Sequence, residues 1–348
     1  MPQQMQIGQR TIGDGNTYMI AEMSANHNGD LDTAKQIMRA ISESGADAVK
    51  LQTYTPETMT IDCDQRDFKI GSGTIWEGKK LFDLYGEAYT PWEWHEELFS
   101  LANELGMDCF STPFDNTSVD FLEQFDPPCY KVASFELVDL PLIEYIASKG
   151  RPIIMSTGMG SLAEISEAVE VIKRAGVPLA LLKCTSAYPS PPESMNLRTI
   201  PHLATAFDVP AGLSDHSLEI AVPVAAVTLG ATIIEKHFTL SRNDPGPDSA
   251  FSLEPQEFKA MVHAIRTAEQ AIGKVSYRLT DKEHASKVFR RSLYIVADLK
   301  AGDTLTSENV RIIRPGYGLP PKAIHQVLGR TVKANIDRGT ALSWDLLQ

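Results

Sequence analysis

The sequence predicts an α/β protein, a (β/α)8 TIM barrel followed by a small second domain. Residues 18–237 contain the same series of features eight times: a short apolar segment, a polar loop and a helical pattern. Strands that alternate with helices are typical of a parallel sheet, and eight such units fit a closed barrel better than an open sheet. From Phe289 onward, short strands and turns replace the helical patterns. We therefore predict a barrel at residues 1–272, a linker at 273–288 and a small domain at 289–348.

The eight predicted strands are short, apolar and followed by polar loop residues. They are Tyr18–Met23, Ala48–Thr53, Met107–Ser111, Cys129–Ala133, Pro152–Ser156, Pro178–Cys184, Pro210–Leu213 and Thr232–His237. The helical patterns between them support this count. Ser161 and Glu164 have the spacing of a capping box, apolar residues follow at helical spacing, and Gly176 stands where a helix would end.

The repeat is interrupted once, because 53 residues separate the second and third predicted strands. Long loops in compact domains are usually functional or disordered. This one is rich in aromatic residues, including Trp76, Trp92 and Trp94. We therefore interpret it as a lid over the barrel mouth, although Trp92 and Trp94 would alternatively pack on the barrel wall.

Composition excludes several classes of protein. With 43% hydrophobic and 22% charged residues, the chain has the balance of a globular protein. The sequence contains no run of 18 uncharged apolar residues, so it predicts no membrane span. A net charge of −13 argues against a nucleic-acid partner. The first residues lack the apolar segment of a signal peptide, so we expect a cytoplasmic protein.

Charge is unevenly distributed along the chain. Residues 289–348 hold nine basic and five acidic side chains, a net of +4, whereas the remainder holds 23 basic and 40 acidic side chains, a net of −17. We therefore expect the basic tail to dock on an acidic body, its own or that of a partner.

Two successive predicted strands end on a histidine. Gly212-Leu-Ser-Asp-His216 and Thr232-Ile-Ile-Glu-Lys-His237 are each typical of a buried strand that runs into a loop. Parallel neighbours lie about 4.8 Å apart, and imidazoles suit transition metals. His216 and His237 are therefore candidate ligands of one divalent ion. The alternative is that each histidine only caps its strand.

Polar side chains are predicted to meet at the carboxyl ends of the strands, where catalytic groups of this fold lie. Alternation along each strand points Lys50 and Lys131 inward. Lysines are rarely buried without a partner, and cations beside hydroxyl donors suit a phosphate or carboxylate. Each lysine could instead pair with an inward glutamate such as Glu235. The predicted mouth residues are Glu22, Lys50, Gln52, Lys131, Ser134, Ser156, Cys184, Ser186, Tyr188, Ser214, His216, Glu235 and His237.

A small anionic substrate beside a divalent metal admits two kinds of enzyme. In one, a lysine forms a Schiff base as in an aldolase. In the other, the metal polarises an aldehyde as a Lewis acid while the lysines hold an anion. The histidine pair favours the second kind. A nucleophilic Cys184 is a further alternative.

Many motifs along the chain resemble those of the sialic acid synthase family. They are Ala21-Glu22 with Asn26-His-Asn28, Lys50-Leu-Gln52, Tyr130-Lys-Val-Ala-Ser134, Met155-Ser-Thr-Gly158, Cys184-Thr-Ser-Ala-Tyr188, Gly212-Leu-Ser-Asp-His216, Glu235-Lys-His237 and Pro245-Gly-Pro-Asp248. The tail, with Arg290-Arg-Ser292 and Arg314-Pro-Gly316, is similar to the antifreeze-like (SAF) domain of those enzymes. Met23-Ser-Ala-Asn26, Gln52-Thr-Tyr-Thr-Pro56 and the lid most closely resemble the pseudaminic acid synthase branch. The N-acetylneuraminic and legionaminic acid synthase branches are the alternatives.

The resemblance implies that phosphoenolpyruvate condenses with 2,4-diacetamido-2,4,6-trideoxy-β-L-altrose and water, with C–O cleavage, to give pseudaminic acid and phosphate. Glu22 would handle protons, and His216 and His237 would hold a divalent ion, Mn²⁺ first, with Mg²⁺ or Co²⁺ as alternatives. Arg314 would come from the partner subunit of a domain-swapped homodimer. Lys50, Lys131, Ser134, Ser156, Ser186 and Ser214 would bind phosphoenolpyruvate, and Gln52, Tyr188, Asp248 and Arg314 would approach the sugar.

A non-catalytic binding protein is the remaining alternative, because the tail resembles ice-binding folds. Ice binding requires a flat, uncharged face, whereas residues 289–348 carry nine basic side chains. The sequence therefore favours an enzyme.

Overall fold

The computed structural model describes residues 4–73 and 75–348, and eight parallel strands form its main sheet. We number them β1 (Tyr18–Glu22), β2 (Ala48–Thr53), β3 (Asp108–Pro113), β4 (Tyr130–Val132), β5 (Ile153–Ser156), β6 (Leu179–Cys184), β7 (Ala211–Asp215) and β8 (Ile233–His237). Hydrogen-bonded neighbours follow the order β3-β2-β1-β8-β7-β6-β5-β4. Because the two end strands are consecutive in the chain, the sheet is a nearly closed barrel. The predicted (β/α)8 fold is confirmed.

Helices follow the strands and cover the outside of the barrel. In the barrel unit they span Leu31–Glu43, Pro56–Met59, Leu81–Ala88, His95–Glu104, Asn116–Leu122, Leu140–Ser148, Leu162–Ala175, Thr199–Phe207, Ala221–Thr228 and Pro255–Ile272. The predicted capping box is present, since Ser161 caps the helix and Glu164 accepts the Ser161 N–H at 2.7 Å. Gly176 ends the same helix at φ 73°, a left-handed conformation that favours glycine.

Two separate apolar layers stabilise the barrel. The outer layer lies between strands and helices and includes Val49, Leu51 and Val132. The inner layer fills the end of the barrel where the strands begin. Its members are Met5, Ile7, Ile12, Tyr18, Ile20, Ala48, Phe110, Cys129, Ile154, Ala180, Leu182 and Ile233. Phe110 of β3 and Cys129, directly before β4, thus share one cluster, which closes the barrel by packing.

An N-terminal hairpin, which the sequence patterns did not predict, contributes to this inner layer. Its strands are Met5–Ile7 and Arg10–Ile12, paired antiparallel. Met5, Ile7 and Ile12 are buried in the inner cluster. The hairpin therefore covers the end of the barrel opposite the predicted mouth.

The predicted lid, described at residues 54–73 and 75–106, folds into short elements and packs on the barrel. Besides helices it contains turns of 3₁₀-helix at Arg66–Phe68 and Trp92–Trp94. Trp92 stacks on Phe121 with ring centroids 4.4 Å apart, and Trp94 packs on the outer apolar layer. Trp76 instead donates to the carbonyl oxygen of Pro247 at 3.0 Å, so this part of the lid contacts the loop after β8.

The chain divides into two compact units, residues 1–273 and 274–348. The second unit begins with a helix, Asp281–Ser286, in the predicted linker. Its strands Ser292–Ile295 and Val310–Ile313 pair antiparallel, and a short helix spans Ile324–Val327. Leu293, Val310 and Leu342 belong to its own apolar core. In neither unit do the described residues include a helix long and apolar enough to cross a membrane.

Candidate active site

The polar side chains of the mouth lie two residues beyond the inner apolar layer on the same strands. Because side chains alternate along a strand, a residue two positions further on points to the same interior. This relation links Ile20 to Glu22, Ala48 to Lys50, Cys129 to Lys131, Ile154 to Ser156, Leu182 to Cys184 and Ile233 to Glu235. Lys50 and Lys131 therefore both point into the barrel, as predicted.

Two lysines and two glutamates form a buried ionic cluster in this upper layer. Lys50 forms an ion pair with Glu22 and lies 3.5 Å from Glu235. Lys131 lies 3.5 Å from the same Glu235 oxygen and donates to Ser156 at 2.8 Å. The pairing with Glu235, raised above as an alternative, is therefore present. It does not exclude anion binding, because contacts of 3.5 Å are at the outer limit of a hydrogen bond.

The two carboxyl groups of the cluster have different proton affinities. Burial raises the pKa of Glu22 to about 7, although Lys50 acts in the opposite direction. Burial also acts to raise the pKa of Glu235, but Lys131 and Lys50 outweigh it and leave that pKa below its usual value. At neutral pH Glu235 is therefore ionised, whereas Glu22 can gain or lose a proton.

A glycine brings two of the predicted serines together. Gly158 donates its N–H to Ser134 Oγ at 3.0 Å. A Cβ on Gly158 would lie 2.4 Å from Ser186 Oγ and 2.7 Å from Ser134 Oγ. The two hydroxyls thus line a concave surface that only glycine permits, and with Ser156 and Lys131 they form what we call the anion cradle.

His216 and His237 lie side by side, as the sequence predicts, with ring centroids 5.3 Å apart. His216 Nδ1 lies 3.1 Å from the carbonyl oxygen of Thr185. A carbonyl only accepts, so Nδ1 carries a proton, and in the neutral imidazole the lone pair is on Nε2. His237 Nδ1 is buried and has no hydrogen-bond partner among the described residues.

These imidazoles fit a divalent ion held by two nitrogen ligands. In residues 4–73 and 75–348, no group of three or more His, Cys, Asp or Glu could hold a metal. An ion held by these two imidazoles alone would have further coordination positions for water or substrate.

An aromatic wall of three residues borders the histidines, and sequence reasoning missed one of them, Phe251. The Tyr188 ring centroid lies 4.3 Å from that of His216, and Phe251 lies 5.0 Å from both Tyr188 and His237. Trp76 of the lid lies 5.7 Å from Tyr188. The aromatic lid had indicated Trp76, but Phe251 shows no pattern in the sequence.

The remaining predicted residues are placed differently. Asp248 accepts from Ser24 Oγ, and burial raises the pKa of Asp248. Gln52 is the next-to-last residue of β2, two positions beyond Lys50, and is half-buried. Cys184 Sγ lies 3.9 Å from His216 Nδ1 and 3.8 Å from Ser186 Oγ. Arg314 belongs to the second unit, where its side chain is exposed.

A lysine-lined anion cradle and an imidazole pair at the carboxyl ends of the strands define a barrel enzyme that acts on a small anionic substrate. Comparison with known proteins identifies the class further. Residues 37–277 match the NeuB family and residues 290–348 match the SAF domain. The chain belongs to the NeuB family, which confirms the predicted resemblance.

Proteins that are similar to this chain over nearly its whole length agree with this assignment. The chain is 45% identical to pseudaminic acid synthase of Campylobacter jejuni, over 97% of this chain and 98% of the relative. It is 44% identical to pseudaminic acid synthase of Helicobacter pylori, over 94% and 96% of the two chains. The crystal structure of N-acetylneuraminic acid synthetase from Leptospira borgpetersenii, in complex with citrate, superposes with a TM-score of 0.73 at 30% identity and covers 82% of this chain and 95% of that chain.

Proposed function

We propose that this chain condenses phosphoenolpyruvate with 2,4-diacetamido-2,4,6-trideoxy-β-L-altrose and water to give pseudaminic acid and phosphate. It is a phosphoenolpyruvate-dependent transferase of the nonulosonic acid synthase type. The observation that carries the proposal is the arrangement of the mouth. The mouth contains two lysines, one from β2 and one from β4, together with the anion cradle. It also contains two imidazoles, from the ends of the neighbouring strands β7 and β8.

Phosphoenolpyruvate would bind at the lysines and the anion cradle. In the structure Lys50 reaches Thr112 only at 3.4 Å, and both ammonium groups reach Glu235 only at 3.5 Å. A phosphate or carboxylate oxygen makes shorter, charge-assisted bonds and would replace these long contacts. Ser134, Ser156, Ser186 and Ser214 would supply the neutral donors. Gln52, Tyr188 and Asp248 would face the sugar.

The condensation forms one carbon–carbon bond and one carbon–oxygen bond, to water, and breaks one carbon–oxygen bond, to phosphate. C3 of the enol attacks the aldehyde carbon of the open-chain sugar, which leaves C2 electron-deficient. Water adds to C2, and the C2–O bond to phosphate then breaks, so phosphate leaves with the bridging oxygen. Water loses two protons in all: the departing phosphate takes one as the C2 hydroxyl becomes a carbonyl, and the former aldehyde oxygen gains the other. Glu22, with a pKa of about 7, can carry that proton in both directions.

His216 and His237 would hold the divalent ion, Mn²⁺ in our proposal. When bound, such an ion supplies Lewis-acid polarisation of the aldehyde oxygen. The Thr185 carbonyl orients His216 for this role, and burial keeps the pKa of His237 well below its usual value, so this imidazole is neutral and able to bind a cation.

We also propose that two copies of the chain form a homodimer in which Arg314 completes the partner's site. The loop that carries Arg314 is firmly held, because Ser292 Oγ donates to the Pro315 carbonyl at 2.7 Å and accepts from Gly318 N at 2.9 Å. Arg314 and Tyr317 are exposed on it. The net +4 of residues 289–348 against −17 for the remainder supports docking on a barrel.

The test is to incubate the protein with phosphoenolpyruvate, Mn²⁺ and one of two sugars, the 6-deoxy diacetamido altrose or N-acetylmannosamine. Phosphate release and product mass are measured. We expect faster turnover of the altrose derivative. Faster turnover of N-acetylmannosamine would favour the neuraminic acid alternative, and no phosphate release with either sugar would reject the proposal.

Two controls separate the chemical alternatives. Borohydride should trap no substrate adduct, since a trapped pyruvyl or glycosyl adduct would restore the Schiff-base aldolase. Chelation should stop turnover, and His216→Ala or His237→Ala should do the same with the fold intact. Full activity of the chelated enzyme would reject the metal.

A further inference from the structure

A fully buried lysine lies directly behind the histidine pair and has no part in the proposed chemistry. Lys236 precedes His237, and alternation turns its side chain away from the barrel interior. It is nevertheless 0% exposed. Its Nζ lies 2.6 Å from Asp215 Oδ2, and the Asp215 side chain is equally inaccessible. The sequence patterns alone assign no role to Lys236.

The contacts of Lys236 hold the chain on both sides of His216. Asp215 precedes that histidine and Ser217 follows it. Lys236 Nζ donates to the Asp215 carboxylate and to the Ser217 carbonyl oxygen, and Ser217 Oγ lies 3.5 Å away. Asp215 Oδ1 in turn accepts the Ser217 N–H at 2.8 Å. His216 thus lies in a short turn with both flanking residues tied to one ammonium group.

The same ammonium belongs to the strand that carries the second histidine. In the register of the sheet Lys236 is opposite Asp215, so β7 and β8 are joined by a side-chain bond on the face opposite the imidazoles. A shift of His216 relative to His237 would therefore stretch an ion pair that has no access to water.

Stability alone gives little reason for such a pair. Desolvation of two charges offsets most of their attraction, and apolar replacements of buried ion pairs are often neutral or stabilising. Partners that orient metal-binding histidines, in contrast, typically change metal affinity about 10- to 100-fold when they are removed.

We propose that Lys236 and Asp215 are positioning residues that set the spacing of His216 and His237 for one divalent cation. The inference rests on the proposed function, since it concerns the metal assigned there to the histidines. Neither side chain touches the ion or the substrates. Each acts through the backbone that presents an imidazole.

The experiment compares the wild-type protein with the double variant Asp215→Asn, Lys236→Met, which removes both charges and keeps the side-chain volumes similar. Mn²⁺ binding to the substrate-free protein is measured by the electron paramagnetic resonance of free Mn²⁺. We expect the dissociation constant to rise about 10-fold or more, cooperative thermal unfolding to be retained, and KM for phosphoenolpyruvate to be unchanged. Excess Mn²⁺ should restore much of kcat.

The matched control is Glu123→Gln, Arg151→Met. This pair has Arg151 Nε 2.7 Å from Glu123 Oε1 and lies before the start of β5, at the other end of the barrel. We expect wild-type Mn²⁺ affinity in this variant. An equal loss of affinity in both double variants would overturn the inference, because a general loosening of the fold would then explain it.

The remaining outcomes distinguish the inference from the proposed function. If the wild-type protein binds Mn²⁺ and a folded Asp215→Asn, Lys236→Met variant binds it equally well, the inference is wrong while the metal site stands. If the wild-type protein does not bind Mn²⁺, the metal proposal and the inference fall together. Should the double variant not fold, Asp215→Asn alone retains the acceptor for Ser217, and unchanged affinity there overturns the inference.

Discussion

The inside of the barrel has two layers that differ in chemistry although they share the same strands. In the lower layer Ile20, Ala48 and Ile233 are fully buried among apolar neighbours. Two residues further along, Glu22, Lys50 and Glu235 are almost equally buried but ionic. The same alternation of side chains along each strand therefore serves two purposes. The lower layer stabilises the barrel by burying apolar area, and the upper layer presents charges to a substrate.

This comparison predicts a division of effects, with activity lost in the upper layer and stability lost in the lower one. The largest expected effect concerns Glu22. Glu22→Gln should lower kcat about 10³-fold, since general acid–base groups typically contribute about 10²- to 10⁴-fold. Because burial raises the pKa of Glu22 to about 7, the ionised fraction grows as pH rises through that value. The wild-type rate should rise over the same range, and the variant should lack this rise.

A carboxylate at the opposite end of the barrel provides the control for Glu22. Glu269 accepts the Thr17 N–H at 2.6 Å and pairs with Arg266. Glu269→Gln should leave the pH profile of kcat unchanged. A profile with the same rise in the Glu22→Gln variant would assign the titrating group elsewhere in the mouth.

The second prediction concerns the lower layer. Ile154 is 0% exposed within the inner cluster. Ile154→Ala should lower the free energy of unfolding by about 3 kcal/mol, within the range of about 2–5 kcal/mol for such truncations. Urea unfolding measures the loss, and kcat of the folded enzyme should be unchanged. A large loss of kcat without loss of stability would show that the two layers are not separable.

The third prediction concerns a histidine that is buried outside the mouth. His95 Nε2 lies 2.8 Å from Thr53 Oγ1 between barrel and helices, and burial lowers its pKa to about 4. The unfolded chain takes up a proton near pH 6.5, before the folded chain does, so stability is complete above that pH and falls as pH decreases toward 4. From pH 7 to pH 5 the loss from this group is about 2 kcal/mol.

Unfolding midpoints measured across this pH range in His95→Gln test that prediction. The variant should lose less stability on acidification than the wild type. His202→Gln, at an exposed position, is the control and should follow the wild type. Parallel pH curves for all three proteins would contradict the assignment.

The smallest expected effect concerns the anion cradle. Gly158→Ala would place a methyl group 2.4 Å from Ser186 Oγ and 2.7 Å from Ser134 Oγ. Both hydroxyls would have to move, which should raise KM for phosphoenolpyruvate about 10-fold, the equivalent of one hydrogen bond. Gly86→Ala is the control, since its Cβ would meet only Pro56 at 3.7 Å. An unchanged KM in Gly158→Ala would remove the two serines from the anion site.

Many of the site residues could be predicted from the sequence, because their orientation depends on local periodicity. Alternation alone placed Lys50, Lys131 and Glu235 on the inner face, and the terminal histidines of two successive strands marked the pair at 216 and 237. The helix ends at Ser161 and Gly176 followed from capping chemistry. Each of these inferences involves residues that are close in the chain or share the geometry of one strand.

Other contacts could not be predicted in this way, because they join residues distant in the chain. The side chains of Trp76 and Tyr188 meet only after the lid has folded over the mouth. Phe251 reaches His237 through the loop after β8. Alternation along β8 turns Lys236 away from the interior, but nothing local shows that Asp215 on the neighbouring strand is its partner.

The sequence by itself determined the (β/α)8 class, the family and which side chains point into the mouth, since strand alternation and ordered motifs are properties of the chain. Only the tertiary structure decided which charges neutralise one another, that a hairpin covers the far end of the barrel, and that one lysine joins the strands behind the histidines. Pairing and burial depend on distances between remote segments, and those distances exist only once the barrel has closed.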